Sequence, residues 1–126
     1  MKLAMIGLGK MVANMVRRLA NDKHEVSAYD VLHQAAIDLE KELDGVSAAD
    51  DLKTLITSLP EPRVVWLMVP HQFVDQTIDE LLTAGLSVGD VVIDGGNSNY
   101  KLSQQRGERL QQQGIHFGKH FDKIFK

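Results

Sequence analysis

Short apolar runs alternate along this chain with longer stretches in which apolar residues recur every three or four positions. Lys2 to Ile6 is the first short run and predicts a buried strand. Lys10 to Asn21 follows with Met11, Met15, Val16 and Leu19 on one stripe, the spacing of an amphipathic helix. Glu25 to Tyr29 predicts a second strand, and Leu32 to Leu43 a helix with Ala36, Leu39, Glu40 and Leu43 at helical spacing. Val46 to Ala48 is a very short third strand. Asp50 is placed to cap a helix running through Ser58.

Pro60-Glu61-Pro62 interrupts the pattern, and Arg63 to Val69 (RVVWLMV) is then the most apolar run of the chain. It does not alternate, so it predicts a strand buried on both faces, as in a parallel sheet. Pro70 ends it. Phe73 to Ala84 predicts a helix stopped by Gly85, and Asp90 to Asp94 another strand. After the turn Gly95-Gly96-Asn97-Ser98, a helix from Tyr100 to Gln113 is closed by Gly114, and Ile115 to Phe117 is a last strand. Strands separated by single helices require right-handed crossovers. The predicted fold class is therefore α/β, a three-layer doubly wound sheet of five or six parallel strands. The predicted order is 3-2-1-4-5-6, with the first strand central.

Composition narrows the function. The chain has 126 residues, 44% hydrophobic and 25% charged, which suits one globular domain and leaves no room for an enzyme of two large domains. With no cysteine, disulfides, thiol catalysis and Cys-ligated metals are excluded. A net charge of −3 argues against a nucleic-acid partner. No apolar run is long enough to span a membrane, and Leu3 to Ile6 stops at Gly7, too soon for a signal-peptide core. A cytoplasmic location without membrane or nucleic-acid partners is expected.

Gly7-Leu8-Gly9-Lys10-Met11-Val12 lies directly between a strand and a helix. A dinucleotide site of the Rossmann type needs a tight turn there, close approach of backbone N–H groups to a pyrophosphate, and the positive end of a helix. Gly7 and Gly9 meet the first two needs, while Val12 replaces the third glycine of G-x-G-x-x-G. A tight turn with no ligand is the structural alternative. Asp30 ends the second strand, where a carboxylate accepts hydrogen bonds from both ribose hydroxyls and repels a 2′-phosphate; capping of the next helix is the alternative, and both can hold.

Met68-Val69-Pro70 closes the strongest strand at the edge where such sheets bind ligands. His71 follows and reads as a solvated loop residue. In Asp94-Gly95-Gly96-Asn97-Ser98, Asn97 offers a donor and an acceptor, but Asn97 or Ser98 serves equally well as a helix cap. His116 and His120 are four apart with Gly118 between them, a poor pattern for a metal. Lys101 and Gln111 to Gln113 read as solvated helix surface.

MKLAMIGLGKM at the start, VVWLMVP at 64–70 and VVIDGGNSNY at 91–100 together resemble the 6-phosphogluconate dehydrogenase family, and within it the NAD-preferring bacterial branch. The likeness covers residues 1–117, and it extends less well to the wider 3-hydroxyacid dehydrogenase group. It implies oxidative decarboxylation of 6-phosphogluconate to ribulose 5-phosphate in the pentose phosphate pathway, with NAD as the expected cofactor and NADP disfavoured. By position it implies that Gly7, Leu8, Gly9, Lys10 and Met11 form the cofactor loop, that Asp30 binds the adenosine ribose, that Met68, Val69 and Pro70 line the crevice, and that Asn97 contacts substrate and nicotinamide. Two departures stand out. Val12 occupies a glycine position, and crowds either the strand beneath or the pyrophosphate. After Phe117 the family continues into a Ser-Gly-Gly loop and a helical domain with a catalytic lysine, which no residue here matches. The expectation is a truncated dinucleotide-binding domain at 1–117 with a divergent tail at 118–126, inactive alone. Phe121, Ile124 and Phe125 of that tail suit a fold-back or self-association. The reading from another class is a non-catalytic structural or interaction module derived from the same fold.

Overall fold

β1 (Lys2–Ile6) forms where four consecutive residues, Leu3 to Ile6, are buried to 3% exposure or less. The computed structural model describes residues 2–7, 9–95 and 100–118. After β1 come α1 (Lys10–Asn21), β2 (Glu25–Tyr29), α2 (His33–Glu42), β3 (Val46–Ala48) and α3 (Leu52–Thr57). The second half holds β4 (Val64–Leu67), α4 (Val74–Ala84), β5 (Val91–Asp94), α5 (Tyr100–Gln111) and β6 (His116–Gly118). A 3-10 turn, His71–Phe73, leads into α4.

The six strands form one sheet in the order β3-β2-β1-β4-β5-β6, and every pairing is parallel. This is the three-layer doubly wound sheet, with β1 central, that the alternation of runs predicts. The chain travels outward from β1 to β3, then returns to the other side of β1 for β4, β5 and β6. Right-handed crossovers then put helices on opposite faces for the two directions of travel. The side chains agree. Met5, Val26 and Ala28 pack with Val12 and Val16 of α1 and Ala36 and Leu39 of α2. Ala4, Ile6, Val65 and Leu67 pack with Leu55 and Ile56 of α3, Val74, Ile78 and Leu81 of α4, and Leu110 of α5. Adjacent residues of β1 thus enter opposite layers, as a pleated strand requires.

Several boundaries differ from the sequence reading for local reasons. Asp51, not Asp50, caps α3: its carboxylate accepts the Thr54 N–H at 2.7 Å, while Asp50 pairs with His33 at 2.9 Å. The fourth strand is shorter than Arg63 to Val69. The Arg63 N–H donates to the Asp90 carboxylate at 2.7 Å instead of continuing the ladder, and the strand ends at Leu67. In α2, Ala36 and Leu39 are buried, but Glu40 reaches outward and accepts the Ala48 N–H at 2.8 Å. Residues 112–114 turn after α5, and the last strand runs one residue later than expected. The expectations for Leu8, Asn97, Ser98 and His120, and for the tail from residue 119 onward, lie outside the described residues.

At the N-terminal edge of the sheet, the fully buried Asp90 joins the starts of β4 and β5. It accepts the N–H groups of Arg63 and Ser87 and takes the Arg63 guanidinium at 3.1 Å. This network fastens the end of the sheet opposite to the ligand edge. Among the described residues no helix is long and apolar enough to cross a membrane.

Candidate functional site

The carboxyl ends of β1, β2 and β4 meet where the chain reverses its direction of winding. A cleft of about 590 Å³ opens there. One side is made by Ile6, Gly7, Gly9, Tyr29, Asp30 and Val31, and the other by Met68, Val69 and Pro70. Its floor and far wall come from Leu52 and from α4 with the turn before it, through Phe73, Gln76, Thr77 and Glu80. Open α/β sheets bind ligands at this reversal point.

Gly7 is fixed by two constraints. Its φ is +94°, and a Cβ there would lie 2.8 Å from the Met68 carbonyl oxygen. Its N–H donates to the Tyr29 carbonyl at 3.0 Å, which ties the turn to β2. Gly9 is the N-cap of α1. It has extended backbone, and its carbonyl accepts the Ala13 N–H at 2.9 Å. A Cβ at Gly9 would meet nothing within 4 Å, so the space above it is open to the cleft. Among the described residues no side chain caps this helix end, and its first turn carries no acidic residue. The start of a helix has N–H groups without intrahelical partners and a partial positive charge, and here both border the cleft.

Val12 is 5% exposed and packs among Met5, Val16, Val26 and Ala28. Of the two directions open to its isopropyl group it takes the one toward the strand beneath. The cleft loses no volume to it.

Asp30 follows β2 and lines the cleft. One carboxylate oxygen accepts the Leu32 N–H at 2.8 Å, a turn that holds the residue in place. The N-cap of α2 is Leu32, which has no side-chain cap bond. The expected capping by Asp30 therefore takes the form of an Asx turn just outside the helix. Among the described lining residues the charged ones are Asp30 and Glu80, and neither lysine nor arginine is present.

Met68, Val69 and Pro70 line the cleft. Gly95 donates its N–H to the Leu67 carbonyl at 2.9 Å, and a Cβ there would collide with the side chains of Trp66 and Met68. Close packing, rather than ligand approach, gives the first glycine of the Asp94-Gly95-Gly96 turn its reason. His71 is exposed and does not line the cleft. No group of three metal-ligating side chains occurs among the described residues.

The α4 wall has no counterpart in the sequence reading. Phe73, Gln76, Thr77 and Glu80 follow the spacing of a helix face, interleaved with the core stripe Val74, Ile78 and Leu81. That second, mixed stripe was the available signal. Arg106 was also missed. It is 4% exposed on α5 and holds the Asp75 carboxylate at 2.7 and 3.2 Å. These hydrogen bonds are the main cause that keeps the Asp75 carboxyl below its usual range.

The family described as the NAD binding domain of 6-phosphogluconate dehydrogenase matches residues 2–119. The chain belongs to that family. A Bacillus subtilis protein provisionally named a 6-phosphogluconate dehydrogenase is 41% identical over 117 residues, covering 93% of this chain and 38% of its own length. The NAD(+)-dependent, decarboxylating 6-phosphogluconate dehydrogenase of Haloferax volcanii is 38% identical over 109 residues, 86% of this chain and 36% of that protein. The fold is that of 6-phosphogluconate dehydrogenase from Plasmodium falciparum, with a TM-score of 0.84 at 24% identity over 94% of this chain and 27% of that one. The chain thus spans 38% and 36% of the length of these two curated relatives. It is a nicotinamide-dinucleotide-binding domain of the 6-phosphogluconate dehydrogenase family.

Proposed function

We propose that this domain holds NAD for a 6-phosphogluconate dehydrogenase, the enzyme that oxidatively decarboxylates 6-phosphogluconate to ribulose 5-phosphate. The observation that carries the reading is the Gly7–Gly9 turn. One glycine is locked against the Met68 carbonyl and the other is open to a cleft at an uncapped helix start. That cradle fits a pyrophosphate, which accepts backbone N–H groups and is favoured by the helix dipole. Residues 7–11 (Gly7, Leu8, Gly9, Lys10 and Met11) are assigned to this loop. Asp30 is assigned to the adenosine ribose. Its place in the cleft, with no described lysine or arginine lining it, favours two free hydroxyls over a 2′-phosphate. Met68, Val69 and Pro70 form the opposite wall, and Asn97 is assigned to substrate and nicotinamide.

When bound, the nicotinamide supplies the hydride acceptor. What the residues of this chain contribute is orientation: the helix start holds the pyrophosphate and Asp30 fixes the adenosine end. Ile6, Val69 and Pro70 give the cleft an apolar lining. Proton removal from a sugar hydroxyl needs a positioned base, and no residue of the 126 matches the family's catalytic lysine. These residues alone are therefore expected to bind cofactor without turning over 6-phosphogluconate.

Calorimetric titration with NAD, NADH and NADP tests the reading. Saturable binding of NAD and NADH, tighter than that of NADP, is expected. No binding in the millimolar range would favour the alternative of a module that keeps the fold as an interaction surface. The direction of Val12, into the core rather than the cleft, counts against that alternative.

A further inference from the structure

The far wall of the cleft has a chemical character that the assignments above leave unused. Gln76 and Glu80 stand one turn apart on α4, and both line the cleft. Nε2 of Gln76 donates to Oε1 of Glu80 at 3.1 Å. That bond orients the amide, because the reverse setting would turn its oxygen against the carboxylate. Thr77, beside them, spends its hydroxyl hydrogen on the Phe73 carbonyl at 2.8 Å. What the wall offers a ligand is therefore chiefly acceptor oxygen. Oε1 of Gln76 and Oε2 of Glu80 have no hydrogen-bond partner among the described residues. No described lysine or arginine lines the cleft to take them up.

The margins beside this wall are apolar. Val31 is 87% exposed and Phe73 is 50% exposed, and both border the cleft. Val31 follows β2, and Phe73 ends the turn before α4. Single exposed apolar side chains are ordinary. Two at the margins of one cleft, with acceptors on the wall between its helices and strands, suit a flat heteroaromatic ring with N–H groups on its edge. The sequence also places this ring. Val31 directly follows Asp30, the residue assigned to the adenosine ribose, and the base of a dinucleotide is bonded to that ribose.

We infer that Glu80, aligned by Gln76, is a specificity residue that reads the 6-amino group of the adenine. The inference rests on the dinucleotide reading above. A 6-aminopurine presents two N–H hydrogens on one nitrogen, which match the two acceptor oxygens of the Gln76–Glu80 pair. A 6-oxopurine turns an acceptor to the same place. Its ring N–H, one position away at N1, serves one of the two oxygens and leaves O6 set against the other.

The test compares NADH with reduced nicotinamide hypoxanthine dinucleotide, which carries O6 in place of the amino group. Dissociation constants are measured on the unaltered chain, on Glu80→Ala and on Glu80→Gln, with melting temperature to verify folding. Glu80 is exposed, so neither change disturbs the core. The two ligands carry the same charge, and their affinity ratio is insensitive to the general effect of removing a carboxylate. On the unaltered chain the hypoxanthine ligand should bind about fivefold more weakly than NADH. In Glu80→Ala, NADH should weaken and the ratio should fall to within about twofold. Glu80→Gln should narrow the ratio as well, because its amide offers a donor to O6 and an acceptor to the amino group. A merely structural part for Glu80 would weaken both ligands together and leave the ratio standing. Equal affinity for the two ligands on the unaltered chain, or a ratio that survives Glu80→Ala, would overturn the inference while the dinucleotide reading stands. An unaltered chain that binds neither ligand would overturn that reading and the inference with it.

Discussion

Gly7 and Val12 lie five residues apart in one motif and answer to different physics. At Gly7 the backbone is left-handed and the Met68 carbonyl leaves no space for a Cβ. Gly7→Ala should cost about 1–3 kcal/mol from the backbone alone, with more from the contact, and should weaken NADH binding in whatever stays folded. Urea unfolding and calorimetry read the two effects separately. At Val12 the side chain is core. Val12→Ala should cost about 1.5–3 kcal/mol through lost burial and a cavity, with NADH affinity unchanged. Of the two directions of crowding that the sequence leaves open at Val12, the side chain takes the one toward the strand beneath rather than the pyrophosphate. What spacing could not supply was which side of the helix faces the sheet. Val12 and Val16, four apart, share the buried face, which the stripe of Met11, Met15, Val16 and Leu19 did not single out.

Among the elements, strands and helices were legible to within two residues at their ends, and the choice of a capping side chain was not. An apolar run such as Val64 to Leu67 is buried whichever neighbours it finds, so its pattern identifies it. A cap is decided by one hydrogen bond, and Asp50 and Asp51 are equivalent in sequence until Thr54 selects the second. The α4 wall was illegible for another reason. Its cleft-facing stripe, Phe73, Gln76, Thr77 and Glu80, mixes apolar and polar residues and so carries no contrast against an ordinary solvated face. Tethers between elements also have a pH signature. Hydrogen bonds from Arg106 hold the Asp75 carboxyl below its ordinary value of 3.8, and those from Arg17 hold Glu42 below 4.5. A carboxyl lowered in the folded state contributes stability above its unfolded value and loses it as pH falls through the folded one. The melting temperature should therefore be level with respect to these pairs above about pH 5 and should decline below about pH 4. Asp75→Asn should make that decline shallower, as followed by circular dichroism across the acid range.

At the scale of the molecule, sheet order was legible because few topologies survive the rules for parallel crossovers. Once the runs alternate and the fourth is buried on both faces, a central β1 with winding in both directions follows. That topology puts the reversal point, and so the cleft, at the ends of β1 and β4. The opposite edge of the sheet is fastened by Arg63 and the buried Asp90, which makes the two ends of the molecule distinct in chemistry as well as in place. A ligand that binds as proposed should affect one end and leave the other unaffected. The most direct measurement is a titration of the isotope-labelled chain with NADH, followed residue by residue through its backbone amide resonances. Saturable shifts should gather at residues 6–13, 30–32, 68–77 and 94–100, with 45–47, 63–64 and 87–91 at the opposite edge unmoved. Shifts concentrated at that opposite edge, or no shifts at millimolar NADH, would contradict the assignment of the cleft as the dinucleotide site.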